Sequence, residues 1–445
     1  MRFSRELFQY SPDRPKNSQP ATNGFARPDA LPHNPHVRYN RDMNAICLVV
    51  DRLHASHLGA YGNAWIETPC LDRLAAQSLV FDRALIDSPR LDRLYRSYWH
   101  GLHAMCPAPA DDRPSLASLL RTADVHTALL TDDVDVARHP LAADFDELVE
   151  IDPPWTSQTA EQMDQTQLAR CCVEIIRWLE SAREPFLLWC HLGSLGTTWD
   201  APLTYRRAYV EPGDPTPPDV ADVPDRRLPP DHDPDERLGL AQAYAGQVTL
   251  LDTCLGALLE CLDGLPSAGQ TLLSLSSARG FPLGEHLRVG PCDDALYGEL
   301  VQVPWLLRLP DQRGRLTRSA SLVEPTDLWA TLLDYWSVEP PPSPTAISVL
   351  PQVDGRPSAD RDRLCMINGA GRRAIRTPAW HLRLADPPEL FVKPDDRWEV
   401  NDVASRCREV AECLEDALEQ FEWTVQTGTV ADLPPLDEVL RNGFE

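Results

Sequence analysis

The chain has 445 residues, of which 43% are apolar, and its formal net charge is −25 at pH 7. This length fits one large α/β domain with a smaller partner domain, and the apolar fraction is sufficient for a packed core. The acidic balance disfavours nucleic acid and anionic membranes as partners, because basic surfaces bind both.

The 12 cysteines are scattered along the chain and form no CxxC pair, which argues against a disulfide scaffold and against a zinc site. The first residues, MRFSRELFQYSPDRP, lack the apolar stretch of a signal peptide. No run of about 18 apolar residues is present to suit a transmembrane helix. These features favour a cytoplasmic protein.

Residues 1–42 are polar and rich in Pro, Asn and Arg, a composition typical of a flexible leader. The apolar run Ala45–Val50 then predicts a buried strand that is followed at once by Asp51. Ligands of open α/β sheets bind outside the carboxyl ends of the strands. Asp51 is therefore the first candidate for a metal or substrate contact.

Apolar strands alternate with amphipathic helices over about 300 residues, which predicts a large, mainly parallel sheet sandwiched by helices. Thr68 and Pro69 are suited to cap and to start the first helix. The predicted strands after the first lie at residues 79–81, 126–130, 186–190, 271–275 and 303–307. Further helices are predicted at residues 91–101, 115–120, 160–181, 237–262 and 325–334.

Residues 211–236 are acidic and rich in proline, which predicts a surface excursion, with a docking segment as the alternative. After residue 350 the pattern changes to short strand-like pieces and a last helix at 403–421. We therefore expect a leader at 1–42, an α/β domain at 43–350, a small C-terminal α+β subdomain at 351–430 and a tail at 431–445.

Several ordered motifs carry a resemblance to a known family. They are the first strand with Asp51, TPCLDRLA at 68–75, FDRA at 81–84, PFLLW at 185–189, GEH at 284–286, LYGE at 296–299 and ELF at 389–391. Together they resemble the sulfatase family, within the alkaline-phosphatase-like superfamily, from about residue 44 to residue 421. The resemblance implies the same fold and, in the family, hydrolysis of sulfuric esters with a bound calcium or magnesium ion.

The resemblance also implies a nucleophile, which the family takes from a Cys or Ser in C/S-x-P-x-R that is oxidised to formylglycine. Counting without gaps from Phe81 to Gly101 places Leu91 at that position, Arg93 at the motif's proline and Tyr95 at its arginine. A leucine has no lone pair with which to attack, and no base can activate it. We therefore expect no catalytic residue at this position.

The expected metal ligands are also replaced. The family's late DH or DN pair before a glycine reads Ala278-Arg279-Gly280 here, and the acid that often follows Asp51 is Arg52. Hard cations need six to eight oxygen ligands, whereas alanine offers none and an arginine repels the ion. Asp51 is kept only as a residual metal position. No cofactor is expected, and the ion would be calcium or magnesium if the ancestral site survives.

Three further family residues have no counterpart in this chain. The histidine that follows the family's central strand falls near Leu195-Gly196, and its lysine and histidine pair falls in residues 131–134. Flanking motifs match well on both sides of each replaced position, which argues against a misaligned reading.

Asp51 thus has two interpretations, a residual metal ligand or one half of an ion pair. A buried carboxylate needs a partner, and Arg52, Arg93 and Arg279 are predicted near the same cleft. Our hypothesis is that a guanidinium replaces the metal as counter-ion to Asp51. The three arginines are also candidates to bind a sulfate, phosphate or carboxylate group.

The leading functional hypothesis is a degenerate sulfatase-like pseudoenzyme with a binding, scaffolding or regulatory role, which takes a small anionic ligand or a protein partner. The alternative is an active sulfuric or phosphoric ester hydrolase with an atypical site. A third interpretation is a subunit that stabilises an active relative.

Overall fold

The computed structural model describes residues 43–109, 112–152, 156–293, 295–355 and 361–444. The predicted leader at 1–42 lies outside the described residues.

A central sheet of eight strands organises the large domain, in the order β10-β2-β9-β7-β1-β5-β3-β4. Five of its seven neighbouring pairs are parallel, and only β2·β9 and β7·β9 are antiparallel. The prediction of a large, mainly parallel sheet is therefore confirmed. The strands are β1 Asn44–Val50, β2 Leu79–Leu85, β3 His126–Thr131, β4 Glu147–Glu150, β5 Phe186–Leu192, β7 Thr271–Ser276, β9 Gln302–Arg308 and β10 Thr317–Val323.

Strand β1 lies inside this sheet, between β5 and β7, and all seven of its residues are buried. Successive side chains of a strand point to opposite faces, so Ile46 and Leu48 enter one hydrophobic core while Cys47 and Val49 enter the other. Burial on both faces explains why the strand reads as a continuous apolar run without polar alternation.

Helices cover both faces of the sheet. They are α1 Pro69–Ala76, α2 Leu91–His100, α3 Leu116–Arg121, α4 Val134–Ala137, α5 Gln167–Glu180, α6 Ser194–Thr197, α7 Leu203–Arg207, α8 Pro234–Gly264, α9 Gly298–Val301, α10 Pro325–Tyr335 and α11 Leu350–Val353. Residues of α1, α5 and α8 share one core, and residues of α2, α3 and α10 share the other. The helix predicted to start at residue 160 begins at Gln167, because residues 163–165 form a separate short 3₁₀ turn.

The start of α1 differs from the prediction in its cap. Pro69 takes the first helical position as expected, but Thr68 makes no capping bond, and its hydroxyl accepts from the Gly59 amide at 3.0 Å. The exposed amides of the first turn instead donate to the Asp252 carboxylate on α8, Cys70 N at 3.1 Å and Leu71 N at 2.8 Å. A carboxylate from a packed neighbour satisfies these donors as well as a local cap does.

Helix α8 is long and apolar enough to cross a membrane by length and composition. Within its most suitable window, however, 72% of the residues are buried inside the fold. Its buried Leu250, Leu255 and Leu258 belong to the core that the sheet shares with α1 and α5. The helix therefore serves as a core helix of the large domain.

The C-terminal residues form a small subdomain with an antiparallel sheet of four strands. Its strands are β11 Leu364–Ile367, β12 Arg373–Arg376, β13 Trp380–Arg383 and β14 Glu389–Val392, and its helices are α12 Arg408–Thr427 and α13 Glu438–Asn442. The last predicted helix, at 403–421, thus begins and ends about one and a half turns later than expected. The segment predicted as a tail supplies α13, and its Leu436 and Leu440 pack in the subdomain core.

A buried carboxylate, Glu399, joins this subdomain to the segment before α9. Glu399 is 3% exposed, and its Oε1 lies 2.7 Å from both Nδ1 of His381 and Nζ of Lys393. Its Oε2 accepts from the Gly298 amide at 2.9 Å, and its backbone carbonyl lies 2.9 Å from Nε2 of His286. Burial alone would raise the pKa of Glu399, but His381 and Lys393 hold it well below its usual range.

Candidate functional site

The candidate site begins where β1 ends, at the edge of the sheet where the sequence predicts it. The amide of Asp51 still donates to the carbonyl of Leu192 in β5 at 2.8 Å, and the residue is 2% exposed. The Asp51 carboxylate faces Arg279, whose Nε donates to Oδ1 at 2.9 Å while Nη2 contacts Oδ2. The predicted ion pair between Asp51 and a nearby arginine is therefore present.

This ion pair determines the charge of Asp51. Burial would raise the pKa of its carboxyl, but the positive charges of Arg279 and Arg52 and the hydrogen bonds from Arg279 outweigh burial and lower the pKa to about 2. The same contact, together with Asp293, raises the pKa of Arg279 although burial opposes it. Both groups are thus charged across the physiological pH range.

Asp293 completes the site, and the sequence analysis did not identify it. Its Oδ1 accepts from Arg52 Nη1 at 2.7 Å, and its Oδ2 accepts from Arg52 Nη2 at 3.0 Å and from Arg279 Nη1 at 3.1 Å. Asp51, Arg52, Arg279 and Asp293 therefore form one network, which we call the ion-pair network. Asp293 lies 241 residues from Arg52 in a segment without a motif of its own, so only the tertiary structure brings the two together.

Gly196, which lies near the position of the family's histidine, is packed directly against this network. A Cβ atom at Gly196 would lie 2.8 Å from Cγ of Arg52 and 3.2 Å from Oδ2 of Asp51. A histidine at this position would therefore collide with the network. Ser277 accepts from the Leu53 amide at 3.2 Å and donates to the Arg279 carbonyl at 2.6 Å, which holds the backbone that carries Arg279.

A second buried group lies beside the network. The Tyr95 hydroxyl lies 2.6 Å from Nδ1 of His191, and Nε2 of His191 lies 3.8 Å from Oδ2 of Asp133. Burial raises the pKa of Tyr95 well above its usual range, so the phenol stays protonated and can donate to Nδ1. Sequence reasoning placed Tyr95 at the family's arginine position but did not connect it with His191 or Asp133. The aromatic residues of α2 were the one available signal for this contact.

A cleft of about 1080 Å³ opens above the ion-pair network. Its charged side chains come from several loops and from the starts of helices, and six arginines outnumber five aspartates in a chain of strongly negative net charge. They are Arg90, Arg138, Arg226, Arg227, Arg279 and Arg288 with Asp92, Asp133, Asp135, Asp225 and Asp293. The lining is therefore close to charge balance, although the chain as a whole is strongly acidic.

The predicted site residues take different places in this cleft. Leu91, the first residue of α2, lines it and contributes only hydrocarbon. Arg279 lines it, whereas Arg52 lies beneath Asp293 with a side chain that is 3% exposed. Arg93 is not part of the lining, and Arg90 lines the cleft instead. Two residues along an α-helix rotate a side chain by about 200°, which turns Arg93 away from Leu91.

The residues at this site do not fit a calcium or magnesium ion. Both oxygens of Asp51 are engaged by Arg279, the neighbouring Ala278 has no ligand atom, and a guanidinium occupies the space beside the carboxylate. Within the described part of the chain, no group of three or more His, Cys, Asp or Glu side chains could hold a metal ion. A hard divalent cation needs several oxygen ligands at once, which this arrangement does not supply.

Comparison with known proteins identifies the relatives of the chain. A family model described as Sulfatase matches residues 43–338. Human iduronate 2-sulfatase is 22% identical over 309 residues, which cover 55% of this chain and 56% of that protein. The N-acetylglucosamine-6-O-sulfatase of Bacteroides thetaiotaomicron is 27% identical over 173 residues, which cover 38% of this chain and 30% of that protein. The chain thus spans about half the length of the first relative and under a third of the second.

A solved structure extends the comparison to the fold. The phosphonate monoester hydrolase of Agrobacterium radiobacter superposes with a TM-score of 0.70 at 17% sequence identity, over 86% of this chain and 96% of that chain. At this identity the likeness shows the architecture, including the large mixed sheet flanked by helices.

Proposed function

The chain belongs to the sulfatase family, and we propose that it is a member that no longer hydrolyses esters and instead binds an anionic group in its arginine-lined cleft. One observation carries this proposal. The guanidinium of Arg279 is bound to both oxygens of Asp51, at the strand end where the family resemblance implies a metal ion. The positive charge of Arg279, which is fixed to the chain, thus takes the place of an exchangeable metal ion.

The position of Leu91 supports the loss of hydrolysis. It stands at the start of α2 on the cleft wall, where the family motif implies a nucleophile. A hydrocarbon side chain supplies neither a nucleophile nor a proton, so covalent catalysis by this residue is excluded.

The completeness of the ion-pair network supports a retained binding role. The two carboxylates and two guanidiniums satisfy one another through at least five hydrogen bonds. Such a satisfied buried network is rigid and holds its side chains in one arrangement. Arg52 and Arg279 are therefore pre-organised, and guanidinium groups match the planar or tetrahedral oxyanions of carboxylate, phosphate and sulfate.

The relatives indicate which anion to test first. Both curated relatives are named as sulfatases, so a sulfate group is the first candidate ligand for this cleft. The metal that the family resemblance implies is not part of the proposal, because the residues around Asp51 do not fit it.

The test uses the purified full chain. We expect no stoichiometric calcium or magnesium by elemental analysis, no turnover of aryl sulfates or phosphodiesters, and measurable binding of inorganic sulfate by calorimetry. The double variant Arg90→Gln with Arg138→Gln is expected to weaken sulfate binding by roughly tenfold or more, since each charged hydrogen bond contributes about 1.5–3 kcal/mol. Arg177→Gln, which removes an exposed arginine of α5 outside the cleft, is the matched control.

Two results would overturn the proposal. Turnover that Asp51→Ala abolishes would show an active hydrolase with an atypical site. Equal sulfate binding by the double variant and by Arg177→Gln would show that the cleft arginines do not form the anion site.

A further inference from the structure

The segment Gly284–Asp293 places a carboxylate of the protein itself where an anionic ligand would bind. Asp293 occupies the space between the two guanidiniums of Arg52 and Arg279, with three hydrogen bonds of 2.7–3.1 Å. We propose that Asp293 is an internal competitor, which must withdraw before an external oxyanion can bind to Arg52 and Arg279. This inference rests on the anion-binding role proposed above.

Exposure indicates which member of the network can withdraw. The side chain of Asp293 is 35% exposed, whereas those of Asp51 and Arg52 are 3% exposed and that of Arg279 is 13% exposed. Ion pairs that water can reach are weak compared with buried ones. The contacts of Asp293 are therefore the ones that open, while Asp51 keeps Arg279 in place as a preformed half of the site.

The backbone of the segment favours movement near Asp293. His286, Leu287 and Cys292 have left-handed φ angles of 51°, 57° and 27° although none is a glycine. Such conformations persist only where the surroundings hold them, and they are common in switch segments. Withdrawal of Asp293 would release the strain at the adjacent Cys292.

Other contacts restrict this movement to the end of the segment. His286 is fixed between Oε1 of Glu299 at 2.7 Å and the carbonyl of Glu399 at 2.9 Å. The short strand β8, Arg288–Val289, pairs with β6, Arg226–Arg227. Gly290 is packed so closely that a Cβ atom would lie 2.2 Å from the Pro224 carbonyl oxygen. Residues 291–293 lie between these anchors and Ala295, whose carbonyl accepts a hydrogen bond from Nε of Arg383 at 2.7 Å, and Pro291 is held by a hydrogen bond from Arg52 at 2.9 Å.

The ligand of the opened site is an oxyanion that presents two oxygens to two guanidiniums. Asp293 itself has this chemistry, and so do acetate, inorganic sulfate and inorganic phosphate. Planar and tetrahedral oxyanions can both present two oxygens in this way. Comparison of the affinities for acetate, sulfate and phosphate shows which shape the site prefers.

The test is calorimetric titration of the full chain with sodium sulfate, phosphate and acetate. Asp293→Asn keeps the size of the side chain but removes its charge, and we expect it to bind the preferred anion about tenfold more tightly than the wild type if Asp293 occupies the site about 90% of the time. Asp135→Asn is the matched control, because it removes the same charge from the same cleft at a residue outside the ion-pair network. We expect the control to change affinity by less than about twofold, as a screened surface charge does.

Hydrogen exchange supplies an independent measurement. Addition of the bound anion to the wild type should increase amide exchange at Cys292 and Asp293, since Pro291 has no amide hydrogen, and leave residues 284–287 unchanged. Thermal unfolding of Asp293→Asn confirms that the variant is folded before its affinity is compared.

The outcomes separate this inference from the proposed function. If wild type and Asp293→Asn bind anions equally, or if Asp135→Asn gains as much affinity as Asp293→Asn, the inference fails and the anion site remains. If no protein binds any of the three anions, the proposed function fails and this inference fails with it.

Discussion

Two buried carboxylates solve the same electrostatic problem in different ways. Asp51 and Glu399 are 2% and 3% exposed, and cations hold the pKa of each below its usual range. The partners of Glu399 are themselves enclosed, since the side chain of His381 is 1% exposed and that of Lys393 is 7% exposed. The network of Asp51 instead reaches solvent through Arg279, which lines the large cleft.

Under the proposed anion-binding role, one charged cluster serves structure and the other serves binding. Around Glu399 the contacts with His381, Lys393, His286 and the Gly298 amide join the subdomain to the segment that leads into α9. Around Asp51 the charges are stacked in three levels. Asp51 lies lowest, the guanidiniums of Arg52 and Arg279 lie in the middle, and the removable carboxylate of Asp293 lies uppermost. A layered cluster can exchange its outermost group without unfolding the protein.

The largest expected effect is at the enclosed cluster. Glu399→Gln leaves Lys393 and the neighbouring His381 buried without an anion, and we expect the free energy of unfolding to fall by about 3–5 kcal/mol. Urea denaturation followed by circular dichroism measures this loss. Glu412→Gln, at a side chain that is 69% exposed, is the control and should change stability by less than about 0.5 kcal/mol. A loss as small as that of the control would show that Glu399 does not hold the subdomain.

A smaller loss is expected at the layered cluster. Asp51→Asn removes one carboxylate from Arg279, but Asp293 remains within 3.1 Å of the same guanidinium. We therefore expect a loss of about 2 kcal/mol, less than for a buried pair that loses its only partner. The same denaturation experiment ranks the two variants by their loss of unfolding free energy. A larger loss for Asp51→Asn than for Glu399→Gln would contradict the comparison.

A third buried carboxylate, Asp252, sharpens the comparison because backbone amides rather than a cation are its main partners. Burial raises its pKa to about 6, although Cys70 N and Leu71 N donate to it. The folded state thus binds a proton more readily than the unfolded state, so its stabilising contribution is present below pH 4 and is lost as the pH rises through 6. Asp51, with a lowered pKa, has the opposite dependence and loses its contribution as the pH falls from about 4 towards 2.

The measurement is the difference in unfolding free energy between the wild type and Asp252→Asn at pH 4 and at pH 7. We expect the wild type to lose on the order of 2 kcal/mol relative to the variant over this range, since one pKa unit corresponds to about 1.4 kcal/mol. The comparison removes the contributions of groups that titrate equally in both proteins. A difference that stays constant with pH would show that Asp252 titrates normally.

The fold was largely predictable because its signals are local. The apolar run of β1, the alternation of strands and helices and the change of pattern near residue 350 each depend on neighbouring residues, and the sheet and the small subdomain follow from them. The start of α5 shifted because a short turn precedes it, and the cap of α1 was missed because a distant side chain, Asp252, provides it in place of Thr68.

The candidate site was predictable only in part. Asp51 and Arg279 were identified because motifs flank both, and their contact follows from strands that end at the same edge of the sheet. Asp293 and the pair of Tyr95 and His191 were missed, because residues far apart in sequence meet there without a shared motif. Arg93 was included from its spacing alone, without regard to the rotation of the helix that carries it.

The close packing at Gly196 has a consequence for substitutions at the site. A side chain at this position would meet Arg52 and Asp51 at 2.8 Å and 3.2 Å, so a histidine is tolerated there only if Arg52 changes as well. A change at Arg52 in turn removes the bidentate partner of Asp293. Positions 52 and 196 are thus sterically coupled, and substitutions at the two are expected to affect stability non-additively.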